Sequence, residues 1–586
     1  MKIKLSDYVI KFLIKKKVKH FFTISGGSSL HLIHSIAKYK KDGYICTHHE
    51  QAAAFAADAY ARVSKNIGVA IVTSGPGATN LLTGIASSFF DSVPVIFITG
   101  QTSSFRSLPN SKVRQIGFQE TNIVDIVKPI TKFAEKVLNP IDIKFYLDKA
   151  FHIATSGRPG PVLIDIPDNF QYSYINTSHF KKKYVSKKEK FIYPNFFKKK
   201  KKFLKLLSRA KKPIFLAGWG IYVSKTQNDF INIFEKFNIP VCTTWGASDI
   251  MPFNHRLNFG SFGTHGTRYS NFAVEKSDLI ISFGSKLDTK STGSPVSNFA
   301  KNSKKVVIDI DNEELAKFKK FGLKIDLLIQ DDLKEVAKIL NKIKITHNQD
   351  YSSWKNKILT WKNEFEKFDK QKRKIRGINP YTFFNLLSLK LPKKCNIIAD
   401  TGCAIVWCNQ SMKLVKGQRL FHDYNNTAMG WSLPASIGSY FFSKTHTICI
   451  IGDGSLMMML HELSTIKYHK LPIKIIILNN EGYGMIRQTQ DLWMNSVYLA
   501  SSKEGGLSFP DFKKIASSFD IKYYKVNSIK NAEIVFEKNL LSKKAIIFDV
   551  KIPKEAKVIP QVTFGRSNLD MAPLLPRKQY LKNILS

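Results

Sequence analysis

Hydrophobic and polar positions alternate along the chain in a pattern that predicts layered α/β domains. Short apolar runs of strand length alternate with longer segments in which apolar residues recur at helical spacing. In the first part of the chain, buried strands are predicted at 68–73, 94–99 and 161–167, and a helical segment at 76–90. Such alternation is typical of parallel sheets covered by helices on both faces. The predicted fold class is therefore α/β, with doubly wound parallel-sheet domains.

The length and the local composition divide this pattern into three predicted domains. A chain of 586 residues is too long for one core and suits about three domains of ~150–200 residues each. The predicted units are an N-terminal domain at 1–178, a central domain at 190–343, a C-terminal domain at 375–553 and an irregular tail at 554–586. Strands are predicted at 214–217, 279–283 and 306–310 in the central domain and at 448–451, 473–478 and 545–550 in the C-terminal one. The lysine-rich tract 180–212 is expected to be an exposed linker with a short helix, and a helix at about 351–374 to bridge the last two domains.

The charge is strongly basic, with 90 Lys and Arg against 45 Asp and Glu, a formal net charge of +45. A field of that size would attract nucleic acid or anionic membranes. The excess is mostly lysine spread along the chain, however, and no compact basic stripe with interleaved aromatic residues is present. There is also no apolar stretch of about 18 residues that could cross a membrane. We therefore expect a solvated lysine-rich surface, with neither nucleic acid nor a membrane as partner.

The six cysteines indicate the compartment. They are scattered without a C-x-x-C pair, at Cys46, Cys242, Cys395, Cys403, Cys408 and Cys449. In a chain of this size, that pattern favours reduced thiols over a disulfide framework or a zinc site. The first residues lack the long apolar run of a secretory signal. A cytoplasmic location is expected.

The strongest chemical signal is Gly452-Asp453-Gly454-Ser455 directly after an apolar strand. The next apolar strand ends in Asn479-Asn480, so that Asp453 and Asn480 are 27 positions apart, enough for a helix and a return strand. Neighbouring strand ends lie side by side at the carboxyl edge of a parallel sheet, where ligands bind. The glycines would let the backbone approach a diphosphate, with the amino end of a helix from about Met457 behind it. Asp453 and the Asn480 side-chain oxygen are hard ligands suited to Mg²⁺.

A GDG run alone is a weak signal, but GDGS followed at this distance by Asn-Asn is the signature of thiamine-diphosphate enzymes. Further blocks resemble the pyrimidine-binding domain of the acetolactate synthase large subunits, in the same order along the chain. They are 26–29, 49–62, 73–80, 91–94, 100–101, 118–121, 130–132 and 156–161. The resemblance extends over nearly the whole chain, and it implies domains that bind, in order, the pyrimidine of the cofactor, a flavin and the diphosphate.

The resemblance also implies roles for individual residues. Glu50 would hydrogen-bond the aminopyrimidine ring and so promote deprotonation of the thiazolium C2, and Met429 would hold the cofactor in its V shape. Gln119 and Lys132 match polar residues near the reacting carbon. The residues implied to bind thiamine diphosphate are Glu50, Gly26, Pro76, Asn80, Gly402, Met429, Gly452, Asp453, Gly454, Ser455, Asn480, Gly482 and Met485, with Asp453, Asn480 and Gly482 on Mg²⁺. The residues implied to bind a structural FAD are Arg158, His265, Gly266, Thr267, Asp309 and Asp311.

Departures from the family pattern concentrate on the substrate side. Where the family carries an arginine that holds the carboxylate of the second keto acid, this chain has Lys290, which keeps the charge but loses the bidentate fork. The tryptophan that lines the acceptor pocket after G-M-x-x-Q is Thr489, which would enlarge that pocket. The family's G-Q-H-Q, partly a diphosphate contact, is the run from Gly402 to Ile405.

The function predicted is thiamine-diphosphate-dependent carboligation. Pyruvate or a related 2-keto acid would be decarboxylated, and its acyl unit passed to a second 2-keto acid, as in branched-chain amino acid synthesis. Two alternatives remain: a bulkier acceptor such as a keto-sugar nucleotide, and a decarboxylase that does not ligate. A binding or regulatory paralogue is disfavoured by the joint presence of Glu50, Asp453 and Asn480. A homodimer or homotetramer is implied by the family, and a separate small regulatory subunit is left open.

Overall fold

The protein is built around three six-stranded sheets, one in each third of the chain. The structure is a computed structural model and describes residues 2–107, 113–180, 182, 184–185, 195–344 and 350–585. Each six-stranded sheet is parallel throughout and flanked by helices, as the alternation of apolar runs predicts. The prediction of three doubly wound α/β units is confirmed.

The N-terminal sheet is formed by six strands, and a short antiparallel pair joins the start of the chain to the end of this domain. The strands of this part are β1 (Lys2–Lys4), β2 (Phe21–Thr23), β3 (Tyr44–Cys46), β4 (Gly68–Val72), β5 (Val95–Gln101), β6 (Phe133–Lys136), β7 (Val162–Pro167) and β8 (Tyr174–Asn176). The helices are α1 (Leu5–Lys15), α2 (Leu30–Tyr39), α3 (Glu50–Ser64), α4 (Pro76–Thr79), α5 (Leu82–Phe90), α6 (Ile123–Val127), α7 (Ile143–Thr155) and α8 (Asp168–Tyr172). β1 pairs with β8, and the other six strands form the sheet.

The central domain follows the same alternation. Its strands are β9 (Pro213–Ala217), β10 (Val241–Thr243), β11 (Asn258–Ser261), β12 (Leu279–Phe283), β13 (Lys304–Asp309) and β14 (Leu327–Gln330). Its helices are α9 (Asn195–Arg209), α10 (Gly220–Val223), α11 (Gln227–Phe237), α12 (Arg268–Glu275), α13 (Thr289–Thr292), α14 (Asn312–Lys320) and α15 (Leu333–Lys342). The bridging helix α16 (Ser352–Lys372) packs on α12.

The C-terminal domain holds the third sheet. Its strands are β15 (Cys395–Ala399), β16 (Gln418–Phe421), β17 (His446–Gly452), β18 (Lys474–Asn479), β19 (Lys522–Val526) and β20 (Ile546–Lys551), followed by the short pair β21 (Gln561–Val562) and β22 (Met571–Ala572). Its helices are α17 (Pro380–Lys390), α18 (Cys403–Ser411), α19 (Ser432–Ser443), α20 (Asp453–Met459), α21 (Glu462–Tyr468), α22 (Gly484–Trp493), α23 (Phe512–Ser518), α24 (Ile529–Asn539) and α25 (Arg577–Leu585).

The order of the strands fixes where ligands can bind. The first sheet runs β3-β2-β4-β5-β7-β6 and the third runs β16-β15-β17-β18-β20-β19, so the two share one topology. The central sheet runs β11-β10-β9-β12-β13-β14, which is the strand order of dinucleotide-binding domains. Each sheet has a switch point, where the connections from two adjacent strands lead in opposite directions, and a crevice opens there at the carboxyl edge. These switch points lie between β2 and β4, between β9 and β12, and between β15 and β17.

The first and third domains share one hydrophobic core through α3 and α19. The α3 helix is rich in small residues, with Ala52, Ala53 and Ala56 fully buried, so its backbone can approach a neighbour closely. On the facing helix, a Cβ added to Gly438 would lie 1.9 Å from the backbone oxygen of Ala56. The close approach of the two helices therefore depends on a glycine at position 438.

Asp91 ties all three domains together. Its carboxylate accepts from Arg62 Nη2 at 2.8 Å and from the backbone nitrogen of Tyr424 at 2.8 Å, and its backbone oxygen accepts from Trp219 Nε1 at 2.8 Å. Arg62 is also paired with Asp58 at 2.6 Å, and all of these charged side chains are buried. Such a network is costly to disrupt, because removal of one partner leaves a buried charge uncompensated.

Several local predictions differ from the structure. The helix after the GDGS run begins at Asp453, not near Met457. The segment 76–90 forms two helices, α4 and α5. In the lysine-rich tract, α9 runs for 15 residues and packs on the central sheet through Phe196, Phe203 and Leu207, so it is longer and better anchored than a short linker helix. The tail is not wholly irregular, because it contains β21, β22 and α25.

No helix in the described part of the chain combines the length and the apolar character needed to cross a membrane.

Candidate cofactor and active site

The switch point of the third sheet forms an open backbone cradle. β15 ends just before Gly402 and β17 ends at Gly452, and these two strands are neighbours. A Cβ added to Gly402 would meet Met485 Cβ at 3.8 Å, and one on Gly452 would meet Ser455 Oγ at 4.0 Å. Ordinary contact distances of this kind leave room beside the backbone at both strand ends. A phosphate group can therefore approach the main chain there.

Asp453 organises the loop after the neighbouring strand β18. Its Oδ1 accepts from the backbone nitrogen of Gly454 at 2.7 Å, and its Oδ2 accepts from those of Asn480 at 3.0 Å and Gly482 at 3.3 Å. The residue is 1% exposed, and this burial raises the pKa of its carboxyl to about 6. The arrangement brings Asp453, Asn480 and Gly482 together.

The oxygens beside Asp453 fit a divalent cation. In one orientation of the Asn480 amide, its oxygen lies 2.7 Å from the carbonyl oxygen of Gly482, so that two acceptors face each other. In the other orientation, the amide nitrogen donates to that carbonyl and the amide oxygen accepts from Arg487 Nη2 at 3.2 Å. A cation between the two oxygens would satisfy both in the first orientation. The described residues contain no cluster of three His, Cys, Asp or Glu that could hold a metal, so the ligands would be the mixed carboxylate, amide and carbonyl set that Mg²⁺ accepts.

Met429 lies half-buried in a turn that Asp400 fixes. The Asp400 carboxylate, at the end of β15, accepts from the backbone nitrogens of Gly430 at 3.1 Å and Ser432 at 2.9 Å. Asp423 holds the other side of the turn by accepting from the backbone nitrogen of Ala428 at 2.9 Å. These two buried carboxylates set the position of Met429, and sequence reasoning missed both.

Glu50 opens α3 at the carboxyl edge of the first sheet. The helix is capped by His49, whose side chain accepts from the backbone nitrogen of Gln51. Glu50 Oε2 accepts from Asn80 Nδ2 at 2.9 Å, and Glu50 Oε1 would lie 3.4 Å from a Cβ added to Gly77. The structure therefore brings the predicted residues Glu50 and Asn80 into direct contact, beside the turn that begins α4 at Pro76.

Gln119 borders the same turn. It has a φ of +60°, in the left-handed region that a residue with a side chain seldom adopts, and its Cβ would lie 3.0 Å from one added to Gly75. Gly26 is on the other side, where a Cβ would clash with Thr73 at 2.5 Å. The left-handed backbone of Gln119 is of the strained kind that is concentrated at functional sites.

Lys132 is not brought to this edge. It directly precedes β6, and so lies at the opposite edge of the parallel sheet from Glu50. Its ammonium donates to the backbone oxygens of Ile153 at 2.6 Å and Ser156 at 2.8 Å, at the end of α7. Those contacts stabilise the C-terminus of a helix, where a cation is favoured.

A cavity of about 420 Å³ lies between the first and central domains, at the switch point of the central sheet. Arg158 and Asp309 line it. Arg158 donates to Asp311 at 2.8 Å and to Glu314 at 2.9 Å, and burial raises the pKa of the Asp309 carboxyl to about 6. Asp311 is thus occupied by Arg158 and by the cap of α14, whereas Asp309 faces the cavity.

The other residues assigned to FAD do not line that cavity. His265 packs against Trp245, which does line it, with ring centroids 5.9 Å apart, and burial lowers the pKa of the imidazole to about 3. A Cβ on Gly266 would lie 2.5 Å from the backbone oxygen of Ser261, so this loop is tightly packed. Thr267 precedes α12 and bonds Ser270 at 2.5 Å.

The two predicted substrate residues lie in different surroundings. Lys290 lines the interdomain cavity, and its ammonium lies 5.2 Å from the centre of the Trp245 ring. Thr489 is on α22, half-buried, and its hydroxyl donates to the backbone oxygen of Met485 at 3.0 Å. It does not line that cavity.

Arg487 is a further residue of this site that sequence reasoning missed. It is 6% exposed, and its Nη2 donates to the backbone oxygen of Asn480 at 3.0 Å. Arg487 is one of the two unspecified positions in the G-M-x-x-Q motif that begins at Gly484. The motif therefore gives no indication that this residue is functional.

The chain matches known proteins along nearly its whole length. Residues 3–126, 201–340 and 400–550 match, respectively, the N-terminal TPP binding domain, the central domain and the C-terminal TPP binding domain of thiamine pyrophosphate enzymes. The acetolactate synthase large subunit of Cyanidium caldarium is 34% identical, over 98% of this chain and 97% of its own. That of Buchnera aphidicola subsp. Schizaphis graminum (strain Sg) is 32% identical, over 96% of this chain and 97% of its own. Acetolactate synthase 1, chloroplastic, of Oryza sativa subsp. japonica is 31% identical, over 97% of this chain and 87% of its own.

Proposed function

We propose that this chain, which belongs to the acetolactate synthase large-subunit family of thiamine pyrophosphate enzymes, decarboxylates pyruvate or a close 2-keto acid and transfers the acyl unit to a second 2-keto acid. The observation that best supports this proposal is the open backbone cradle at Gly402 and Gly452. Beside that cradle, the Asp453 carboxylate is hydrogen-bonded to the loop that carries Asn480. The chain is an enzyme that depends on thiamine diphosphate, and its chemistry is of the acetolactate synthase type.

Magnesium and the diphosphate would be held by residues of the third domain. Asp453, the Asn480 side chain and the Gly482 carbonyl would bind the ion, and the backbone at Gly402 and Gly452 would face the phosphates. Gly454 makes room for the Tyr483 ring instead, because a Cβ there would lie 2.1 Å from it. When bound, thiamine diphosphate supplies an electron sink for the negative charge that decarboxylation leaves behind.

Glu50 would exchange a proton with the pyrimidine ring. Asn80 Nδ2 donates to Glu50 Oε2 and not to Oε1. The Oε1 atom of Glu50 therefore receives no hydrogen bond from Asn80. Met429 would support the bent cofactor from the other domain, in a turn held rigid by Asp400 and Asp423. Gln119 remains a candidate for contact with substrate, because it borders the same turn as Glu50.

A homodimer is part of this proposal. Within one chain, the backbone nitrogen of His48 donates to Glu462 Oε1 at 2.8 Å, so Glu50 lies near the start of α21. Glu462 is nine residues after Asp453 in the nearly continuous helical segment 453–468, in which Leu460 and His461 keep right-handed helical dihedrals, so the two residues lie about 13 Å apart along the helix axis. That separation supports a cofactor site in which the acid comes from one subunit and the diphosphate cradle from another. A tetramer and a small regulatory subunit are compatible with the same arrangement.

Structural FAD is also proposed, in the interdomain cavity. The dinucleotide-type strand order, the open switch point and the buried Asp309 carboxyl support it, since a carboxylate in that position can accept from a ribose hydroxyl. Gly218 and Gly284 are in close contact at the bottom of this crevice. A Cβ added to Gly218 would lie 2.2 Å from the Gly284 backbone oxygen. A cytosolic location is proposed as well, and the six free cysteines support it.

A second candidate acceptor is a bulkier carbonyl compound, such as a keto-sugar nucleotide. Thr489 favours it, because a small side chain on α22 leaves space that a tryptophan would fill.

The test is to purify the full chain with thiamine diphosphate, Mg²⁺ and FAD, and to supply pyruvate alone or with 2-ketobutyrate. Acetohydroxy acids detected by mass spectrometry would support the main proposal. Acetaldehyde without ligated product would favour a simple decarboxylase, and product formed with a keto-sugar nucleotide in place of keto acids would favour the second candidate.

A further inference from the structure

The charge of Arg487 is not neutralised by any side chain in the described structure. Three arginines of the described chain are buried: Arg62, Arg268 and Arg487. Arg62 pairs with Asp58 and Asp91, and Arg268 pairs with Asp369 at 2.8 Å. In the described part of the chain Arg487 has no ion pair, and its Nε has no hydrogen-bond partner. A buried cation without a counter-charge is costly, so an anion is expected to complete this position.

The position of the guanidinium indicates which anion. Its Nη1 lies 3.3 Å from the point where a Cβ on Gly482 would be, and its charge acts on the nearby thiol of Cys403. Cys403 follows β15 and Gly482 follows β18, and these strands lie on the two sides of β17, which ends at Gly452. Arg487 therefore lies at the carboxyl edge that holds the phosphate cradle.

The residues that follow the cradle glycine supply no positive charge for a phosphate. Cys403, Ala404 and Ile405, which follow the cradle glycine Gly402, bring no cation of their own. The bond from Nη2 to the Asn480 backbone oxygen fixes one side of the planar guanidinium, and Nη1, which is neither hydrogen-bonded nor enclosed in the described structure, is left to donate to a ligand. A guanidinium binds phosphate oxygens with charge-assisted hydrogen bonds that are about twice as strong as neutral ones.

We propose that Arg487 is a cofactor-positioning residue that binds the diphosphate of thiamine diphosphate at the edge of the cradle formed by the loop of Asn480 and Gly482. This inference rests on the proposed function and deepens it. It predicts that the arginine increases affinity for the diphosphate group and contributes nothing to, or reduces, the stability of the cofactor-free protein.

The experiment compares full-length wild type with Arg487→Met, which keeps the length without the charge, and Arg487→Lys, which keeps the charge without the fork. Binding of thiamine diphosphate and of thiamine monophosphate is measured by calorimetry with Mg²⁺ present, together with the thermal midpoint of each cofactor-free protein. We expect R487M to bind the diphosphate about 10- to 100-fold more weakly, to lose most of the preference for diphosphate over monophosphate, and to melt no lower than wild type without cofactor. R487K should recover part of that preference.

Gln488→Met is the matched control. Gln488 is also buried on α22, but its amide donates to the backbone oxygen of Val558 at 2.9 Å and accepts from the same residue. Q488M should lower the thermal midpoint and keep the diphosphate preference of wild type. An unchanged preference in R487M, or a lower melting point of cofactor-free R487M with both ligands weakened equally, would show a purely structural arginine and overturn the inference. Wild type that binds no thiamine diphosphate at all would overturn the proposed function itself.

Discussion

The backbone nitrogen of Asn480 donates to the carboxylate of Asp453 at 3.0 Å, across 27 positions of sequence. β17 and β18 are hydrogen-bonded in parallel, with Gly452 opposite Leu478, so both residues emerge at the same edge. The bond orients the loop that carries the Asn480 side chain and the Gly482 carbonyl. The Asp453 carboxylate would therefore both bind the cation and orient the other ligands of the proposed metal site.

Asp453→Asn should remove the dependence of cofactor binding on magnesium. The amide keeps the size of the side chain, but it lacks the negative charge and one of the two acceptor oxygens. We expect affinity for thiamine diphosphate in the presence of Mg²⁺ to fall at least about tenfold, the scale on which residues around a metal act. Calorimetric titration with and without Mg²⁺ checks this, with the exposed Asp125→Asn as control. Magnesium-dependent binding of wild-type strength in D453N would remove Asp453 from the metal site.

Glu50→Gln should separate catalysis from binding. The amide can still take part in a hydrogen bond with Asn80, but it cannot exchange a proton with the cofactor ring. We expect kcat to fall about 10²- to 10⁴-fold, the usual contribution of a positioned acid or base. Cofactor affinity should change little. Steady-state decarboxylation of pyruvate and calorimetry give the two quantities, and Gln51→Ala, one residue further along α3, should remain close to wild type. Near-normal turnover by E50Q would contradict the proton-exchange role.

The proximity of Asp453 and Asn480 was predictable from sequence because strand ends of a parallel sheet meet at one edge, whereas Glu50 and its neighbours were assigned only through the resemblance to the family. Asp453 and Asn480 needed no more than two apolar runs and the intervening helix. Arg487 could not be predicted, because its burial depends on how α22 turns back on the loop from 480 to 484. Lys132 matched a family block by order alone, and a match in order does not determine the edge of the sheet on which a side chain lies.

The predicted boundaries of two helices, α20 and α9, were also wrong for physical reasons. Glycine, aspartate and serine are weak helix formers, so the start of α20 was placed too late, whereas packing under β17 and β18 makes the first turn helical. In α9 the run of lysines hid an apolar stripe of Phe196, Phe203 and Leu207, which recurs at helical spacing and packs on the central sheet.

Thr489→Trp should narrow the acceptor range. The indole would fill the space beside Met485 on the exposed side of α22, and bulky acceptors should lose more rate than pyruvate or 2-ketobutyrate do. One or two kcal/mol of lost contact changes such a ratio by about 10-fold. Competition between acceptors, with products counted by mass spectrometry, measures the ratio directly. Thr489→Val removes the hydroxyl bond to Met485 without filling the space, and should leave the ratio unchanged. An identical ratio in T489W would place the acceptor elsewhere.

Gly438→Ala should loosen the contact between the first and third domains. Its methyl group would meet the backbone oxygen of Ala56 at 1.9 Å, and backbone cannot swing aside as a flexible side chain can. Overpacking of this kind costs about 1–3 kcal/mol. The midpoint of denaturant unfolding should fall, whereas Gly27→Ala, where a Cβ has nothing within 4 Å, should not change it. Equal midpoints for G438A and wild type would show that α3 and α19 can separate without cost.

Glu462 should make stability depend on pH. It is fully buried between the first and third domains, its Oε1 accepts from the backbone nitrogen of His48 at 2.8 Å and its Oε2 from Thr465 Oγ1 at 2.8 Å. Burial raises the pKa of this carboxyl to about 7, above the ordinary value of 4.5. His49 and His461 are the other titratable groups in contact with this corner, and burial lowers the pKa of His461, so that its imidazole stays neutral to a lower pH than usual.

Because the folded pKa of Glu462 is the higher one, its protonated form stabilises the fold at low pH, and that contribution is lost as the pH rises from about 4.5 to about 7. Glu462→Gln has no such loss, and its amide can donate to Thr465 Oγ1, whose proton goes to the backbone oxygen of Cys46 at 3.3 Å. At about pH 5 the two proteins should unfold at similar urea concentrations, and at about pH 8 E462Q should be more stable by about 2 kcal/mol. Parallel pH dependence of the two midpoints would mean that Glu462 is ionised in the folded protein across this range, and that its buried charge is balanced by the histidines.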